Sequence, residues 1–195
     1  MRIELPEPCL VVLIGTTGSG KTTFARKHFR PTEVLSSDSF RGMVSDDEND
    51  QGATADAFDA LHFVLGKRLG ARRLTVVDAT NVLSRARAQL EALAARFGMP
   101  RVAIVLLTPM HVCEERNRLR PDRQDLRAVL LRQYGALRRT LDEIDAEGFE
   151  HVWRVEPDQV DSVEVVRKGS RRPHRTRGRS RTRGPGSGAL DLQEG

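Results

Sequence analysis

The eight residues Gly15 to Thr22, GTTGSGKT, constrain this chain more than any other stretch. They match the pattern G-x-x-x-x-G-K-[ST] in full, between an apolar run, Leu10 to Ile14, and a helical pattern running from Thr22 to Phe29. A run that is apolar at every position predicts a strand buried on both faces. Gly15, Gly18 and Gly20 let the backbone curl until successive N–H groups point inward at an anion. The N-terminus of the following helix adds a partial positive charge. Gly15, Thr16, Thr17, Gly18, Ser19 and Gly20, continued by Lys21, Thr22 and Thr23, are therefore the expected cradle for nucleotide phosphates. Lys21 suits the β- and γ-phosphates, and the Thr22 hydroxyl suits Mg²⁺ or Mn²⁺. ATP or another NTP is the expected ligand.

Downstream, apolar runs and helical spacing alternate. Strands are expected at Glu33–Leu35, Leu74–Val77, Val102–Leu107 and His151–Val155. Helices are expected at Ala53–Leu69, Ala86–Phe97, Met110–Leu119 and Leu126–Ile144. Strand–helix alternation predicts an α/β fold with a parallel sheet flanked by helices. In such sheets ligands sit beyond the carboxyl ends of the strands.

Charge divides the chain in two. The whole carries a net +5, but residues 167–195 hold nine Lys or Arg against two acids, a net +7, which leaves −2 for residues 1–166. The terminal segment RKGSRRPHRTRGRSRTRGPGSG is nearly devoid of apolar residues and is expected to be disordered. It is either an arm that attracts phosphate backbones or a solvated extension. The expected boundary therefore falls between a domain at 1–166 and a tail at 167–195. No apolar run approaches the ~20 residues of a membrane span. The two cysteines, Cys9 and Cys113, stand in no disulfide framework or zinc spacing, so a cytoplasmic location is expected.

Three further stretches carry chemistry. In VLSSDSFR (residues 34–41), Asp38 emerges beside the phosphate loop and suits a general base toward an attacking hydroxyl. Arg41, one helical turn on, suits an anionic group on the acceptor. The same residues also suit a helix cap with a surface arginine. The acidic run SDDEND (residues 45–50) reads as a solvated loop, with ordering of the acceptor pocket the alternative. The strand ending in VVDATN presents the single acid Asp78, which either holds Mg²⁺ or caps the next turn. In MHVCEERNRLRPDRQD (residues 110–125), Arg116 and Arg120 share a helix face, Pro121 interrupts the helix, and Arg123 follows at the hinge. These arginines suit a lid over a triphosphate spanning about residues 110–145, or a solvated face paired with Glu114 and Glu115. His111, Cys113 and Glu114 are not spaced to share a metal on one helix, and His28 and His62 read as packing or surface residues.

Taken together, LIGTTGSGKTTFARKHF, VLSSDSFRGMVSDDEND, LTVVDATN and ERNRLRPDRQ resemble the 5′-hydroxyl polynucleotide kinase module of bacterial RNA end-healing and sealing enzymes, a P-loop phosphotransferase. The motifs span residues 10–124, and the element order matches through about residue 166. The resemblance implies transfer of the γ-phosphate of ATP or another NTP to the 5′-OH end of RNA or DNA. It makes Asp38 the general base, gives Arg41 the acceptor's phosphate, and gives Arg116, Arg120 and Arg123 the donor phosphates. In that family a phosphatase and an adenylyltransferase module commonly follow; here the sequence gives way to an arginine-rich tail where the next module would begin. That is expected of either a stand-alone kinase or a truncated or rearranged chain, so only the kinase step is carried over. Two other functions fit the motifs: a P-loop kinase of a small metabolite or nucleotide, and a nucleotide-dependent nucleic-acid-binding protein without phosphoryl transfer. An arginine beside Asp38 favours a phosphate-bearing acceptor over the former, and the joint presence of Lys21, Asp38 and the lid arginines argues against the latter.

Overall fold

A computed structural model describes residues 1–119 and 127–169. In chain order the elements are β1 (Arg2–Glu7), β2 (Leu10–Ile14), α1 (Lys21–His28), β3 (Val34–Ser36), α2 (Ser37–Ser45), α3 (Thr54–Gly70), β4 (Thr75–Asp78), α4 (Ser84–Arg96), β5 (Arg101–Leu106), α5 (Met110–Arg118), α6 (Arg127–Glu143), β6 (His151–Val155) and β7 (Glu164–Gly169). Five of the strands form one parallel sheet in the order β3-β4-β2-β5-β6. The chain builds outward from β2 in both directions, so the strand order reverses at the carboxyl end of β2, where such folds open a crevice.

All five residues of β2 are buried. The strand's two faces feed two cores, which is why no polar residue interrupts it. Leu10, Val12 and Ile14 pack with Leu61, Leu65 and Leu69 of α3, Leu90 of α4 and Leu137 of α6. Val11 and Leu13 pack with Phe24 and Ala25 of α1 and with Ile3 and Leu5 of β1. His28 stacks against Phe24 with ring centroids 4.5 Å apart, a packing role as its helical position suggests.

The amino-terminal strand β1 is unforeseen by the apolar pattern, and so is its parallel partner β7. In β1 only the alternate residues Ile3 and Leu5 are fully buried, while Arg2 is exposed and Glu4 only partly covered. Strand β7 continues past the expected domain boundary at residue 166, through Arg167 and Lys168 to Gly169. Arg167 makes two hydrogen bonds to the buried Glu33, at 2.8 and 2.7 Å, so its charge serves the fold. Residues 170–195 lie outside the described residues. No described helix is long and apolar enough to cross a membrane.

Candidate active site

Two positive backbone angles shape the loop between β2 and α1: φ is +78° at Gly18 and +96° at Gly20, conformations that side-chain-bearing residues rarely adopt. Gly18 is also crowded. A Cβ there would sit 2.8 Å from the Cys113 carbonyl oxygen and 2.9 Å from Asn117 Nδ2. Lys21 opens α1 and folds back under the loop, where Nζ donates to the carbonyl oxygens of Gly15 (2.9 Å) and Thr16 (2.8 Å) and to Ser19 Oγ (3.3 Å).

Helices α5 and α6 fasten the same loop from outside. Asn117 Nδ2 donates to the Thr17 carbonyl (3.2 Å), while the Thr17 hydroxyl donates to Asn117 Oδ1 (3.3 Å). Arg116 Nη1 donates to the Gly18 carbonyl (3.3 Å), so this arginine, expected in a lid, lies on the phosphate loop. From α6, Gln133 Oε1 accepts the Thr17 N–H at 2.7 Å. Cys113 is fully buried beneath them, accepting from the Thr16 hydroxyl at 3.5 Å, and acts as a packing residue. Arg120, Pro121, Asp122 and Arg123 lie outside the described residues.

The opposite wall begins at β3. Ser36 caps α2 by accepting the Ser39 N–H at 3.5 Å, which fixes the first turn and places Asp38 in it. Asp38 Oδ1 and Arg41 Nη2 form an ion pair one turn apart. Helix cap and paired charges therefore coexist in one segment. Arg41 is buried and also donates from Nε to the Glu48 carbonyl oxygen at 2.8 Å. The acidic run thus does more than face solvent. Its backbone holds Arg41, and Asn49 reaches the cavity itself.

Asp78 ends β4, in register with Ser36 of β3 and Leu13 of β2. Burial pushes its carboxyl above the usual carboxylate range, and Asp38 adds to this; a hydrogen bond from Thr22 and the charge of Lys21 pull the other way. One oxygen, Oδ2, is buried and has no hydrogen-bond partner among the described residues. The following turn is pinned by Asn81, whose Nδ2 donates to the Leu13 carbonyl at 2.8 Å. A buried orphan carboxylate oxygen beside a threonine hydroxyl is a hard-oxygen pair that fits Mg²⁺ or Mn²⁺.

These walls enclose a cavity of about 410 Å³ that contains Lys21, Thr22, Asp38, Arg41 and Asp78 together. Its remaining lining includes Asn49 from the acidic run, and Gln51, Thr54 and Phe58 from the α2–α3 region and Val129 and Gln133 from α6, which no motif singled out. The arrangement can hold phosphates on one side and present a carboxylate and a guanidinium from the other.

This site is set in a fold with known relatives. A family described as AAA domain matches residues 10–144, and the chain belongs to it. No curated protein matches. Among solved structures, one chain from the PezAT chromosomal toxin–antitoxin system of Streptococcus pneumoniae is 18% identical, with a TM-score of 0.59 over 80% of this chain and 70% of that one. A chain of the Pnkp1/Rnl/Hen1 RNA repair complex is 20% identical, with a TM-score of 0.58 over 71% of this chain. This protein spans only 47% of that chain's length. The Mycobacterium tuberculosis APS kinase CysC, solved with AMPPNP and APS, is 21% identical, with a TM-score of 0.50 over 81% of this chain and 94% of the kinase. The shared architecture is a P-loop kinase-like fold.

Proposed function

We propose that this AAA-domain chain is a phosphotransferase that moves the γ-phosphate of ATP or another NTP to the 5′-hydroxyl end of a polynucleotide. One observation carries the reading: the Asp38–Arg41 pair faces the same cavity as Lys21 and Thr22. A water-activating NTPase has no need of an arginine held beside its base. A kinase whose acceptor bears a phosphate does. The RNA repair neighbour agrees with a polynucleotide as that acceptor.

Asp38 accepts the proton of the acceptor hydroxyl as its oxygen attacks the γ-phosphorus in line. The bond to the bridging β-phosphate oxygen breaks, and the nucleoside diphosphate leaves with that electron pair. Lys21 and Arg116 neutralise charge on the donor phosphates, and Arg120 and Arg123 are assigned the same role. Arg41 holds the acceptor's own phosphate and so fixes the hydroxyl against Asp38. Thr22 and Asp78 would hold a divalent ion, which when bound neutralises charge on the β- and γ-oxygens. The arginine-rich sequence from residue 170 onward would add sequence-independent attraction for nucleic acid.

The test is incubation with γ-labelled ATP, Mg²⁺ and 5′-OH RNA or DNA oligonucleotides. Label on the 5′ end is expected. Label found instead on a mononucleotide or small metabolite, with none on either polymer, would replace this reading by that of a small-molecule kinase.

A further inference from the structure

A second cavity, of about 350 Å³, opens between the start of α4 and the middle of α6. It adjoins the catalytic one along both walls. On the β4–α4 segment, Ala79 and Thr80 line the first cavity and Val82 to Arg85 the second. On α6, Gln133 lines the first, and Arg139 lines the second. Arg139 lies six helical positions beyond Gln133, about 9 Å at ~1.5 Å per position.

Three arginines line this groove, one at its floor and two on its rim. Arg87, at its floor, is fully buried and already engaged with Glu147, with the Asn81 carbonyl (2.8 Å) and with Thr140 Oγ1 (3.0 Å). These bonds tie the start of α4 to α6 and hold the groove's width. Arg85 and Arg139, on its rim, are exposed and have no ion pair among the described residues. Arg139 leans back along α6, with Nη1 4.0 Å from where a Cβ on Gly135 would stand, so it points toward the catalytic end. Glu143 is the acid on this wall.

We infer that this groove is the track for the acceptor strand's backbone, with Arg85 and Arg139 taking phosphates beyond the nucleotide held at Arg41. The inference rests on the polynucleotide reading above and deepens it. A reach of about 9 Å corresponds to roughly three rises of a stacked strand at ~3.4 Å each. A longer strand therefore carries phosphates along the groove that a mononucleotide or dinucleotide lacks. A small-metabolite kinase would have no use for two arginines so placed, neither of them ion-paired among the described residues.

The experiment compares kcat/KM for a 5′-OH oligonucleotide of about a dozen residues with that for a dinucleotide. The full chain is used, as wild type, Arg85→Ala, Arg139→Ala and the double variant. The long-to-short ratio should fall about threefold per arginine and about tenfold in the double variant at low salt. The dependence of the long acceptor's log kcat/KM on log salt should flatten by about 0.7 per arginine removed. Glu143→Gln should raise the ratio. A wild type that labels both acceptors, with ratios and salt slopes unchanged in every variant, overturns the track and leaves the kinase reading standing. A wild type that labels no oligonucleotide at all overturns both.

Discussion

Arg41 and Asp38 meet across one turn of α2, and Arg41 is gripped from its other side by the Glu48 carbonyl at 2.8 Å. The acid is held by a helix cap and the arginine by a loop, so the two are oriented by different parts of the chain. Each therefore keeps one anchor outside the ion pair when the other residue is substituted, and each can be tested in turn.

Asp38→Asn should lower kcat by about 10²- to 10⁴-fold, the usual worth of a positioned base, while leaving NTP binding intact. Arg41→Lys keeps the charge but cannot span both Asp38 and the Glu48 carbonyl. It should raise the acceptor's KM with little change in that of the NTP. Steady-state kinetics with each substrate varied in turn, beside nucleotide binding measured by calorimetry, separates the two. Loss of NTP binding in Asp38→Asn would show that the carboxylate supports the loop rather than the chemistry.

The half of the candidate site that could be read in the sequence is the half written in local pattern. GTTGSGKT needs only glycines, a lysine and a hydroxyl at fixed spacing, and β2 needs only a run with no polar residue. What escaped the pattern depends on contacts distant in sequence. Gln133 is an ordinary helix residue until α6 brings its amide to the Thr17 N–H, 116 positions away. Asn49 sits in an acidic run whose composition suggests solvent, yet Arg41 draws that run's backbone into the site. Strand β1 has a clean alternation over Ile3 and Leu5, but it is short, charged and closed by Pro6 and Pro8. Strand β7 runs directly into arginine-rich sequence, so composition hides that Arg167 is structural.

Asp78→Asn should leave the fold intact and raise the Mg²⁺ concentration needed for half-maximal activity by about ten- to a hundredfold. The substitution preserves shape and removes the charge, and the buried Oδ2 is the group most exposed to that loss. A Mg²⁺ titration of turnover at saturating substrates measures it. An unchanged titration with reduced thermal stability would assign Asp78 to the turn instead.

Gln133→Glu should weaken NTP binding by about tenfold, because it sets a negative charge at the loop expected to cradle the donor's negative phosphates. At ~4 Å an added unit charge is worth about 1 to 4 kcal/mol, depending on how much water reaches it. Gln133→Ala serves as the partner variant: it removes the hydrogen bond without adding charge. Equal affinities for the two would mean that Gln133 matters only for fastening α6. A larger loss in Gln133→Glu, shrinking as salt rises, is the expected result.

The Glu33–Arg167 pair connects the last described strand to the turn that launches β3, and it makes the position of the domain boundary testable. A chain ending at Gly169 keeps Arg167 and its two bonds to Glu33, and one ending at Val166 loses them. Removing Arg167 leaves the buried carboxylate with the Arg30 N–H as its remaining hydrogen bond among the described residues, so Arg167→Ala should cost about 1 to 3 kcal/mol. The pH dependence fixes the assignment. Burial pushes the Glu33 carboxyl up, but the Arg167 bonds and the Arg30 N–H outweigh it and hold it below the usual range. A carboxyl lowered in the fold binds fewer protons there than in the unfolded chain, so its stabilisation is complete above the unfolded value of ~4.3. That stabilisation is lost as pH falls through the lower folded value. Urea unfolding should therefore show wild type ahead of Arg167→Ala by a constant margin above about pH 5, narrowing below about pH 4. A margin that stayed constant into the acid range would mean that the guanidinium stabilises β7 by packing alone.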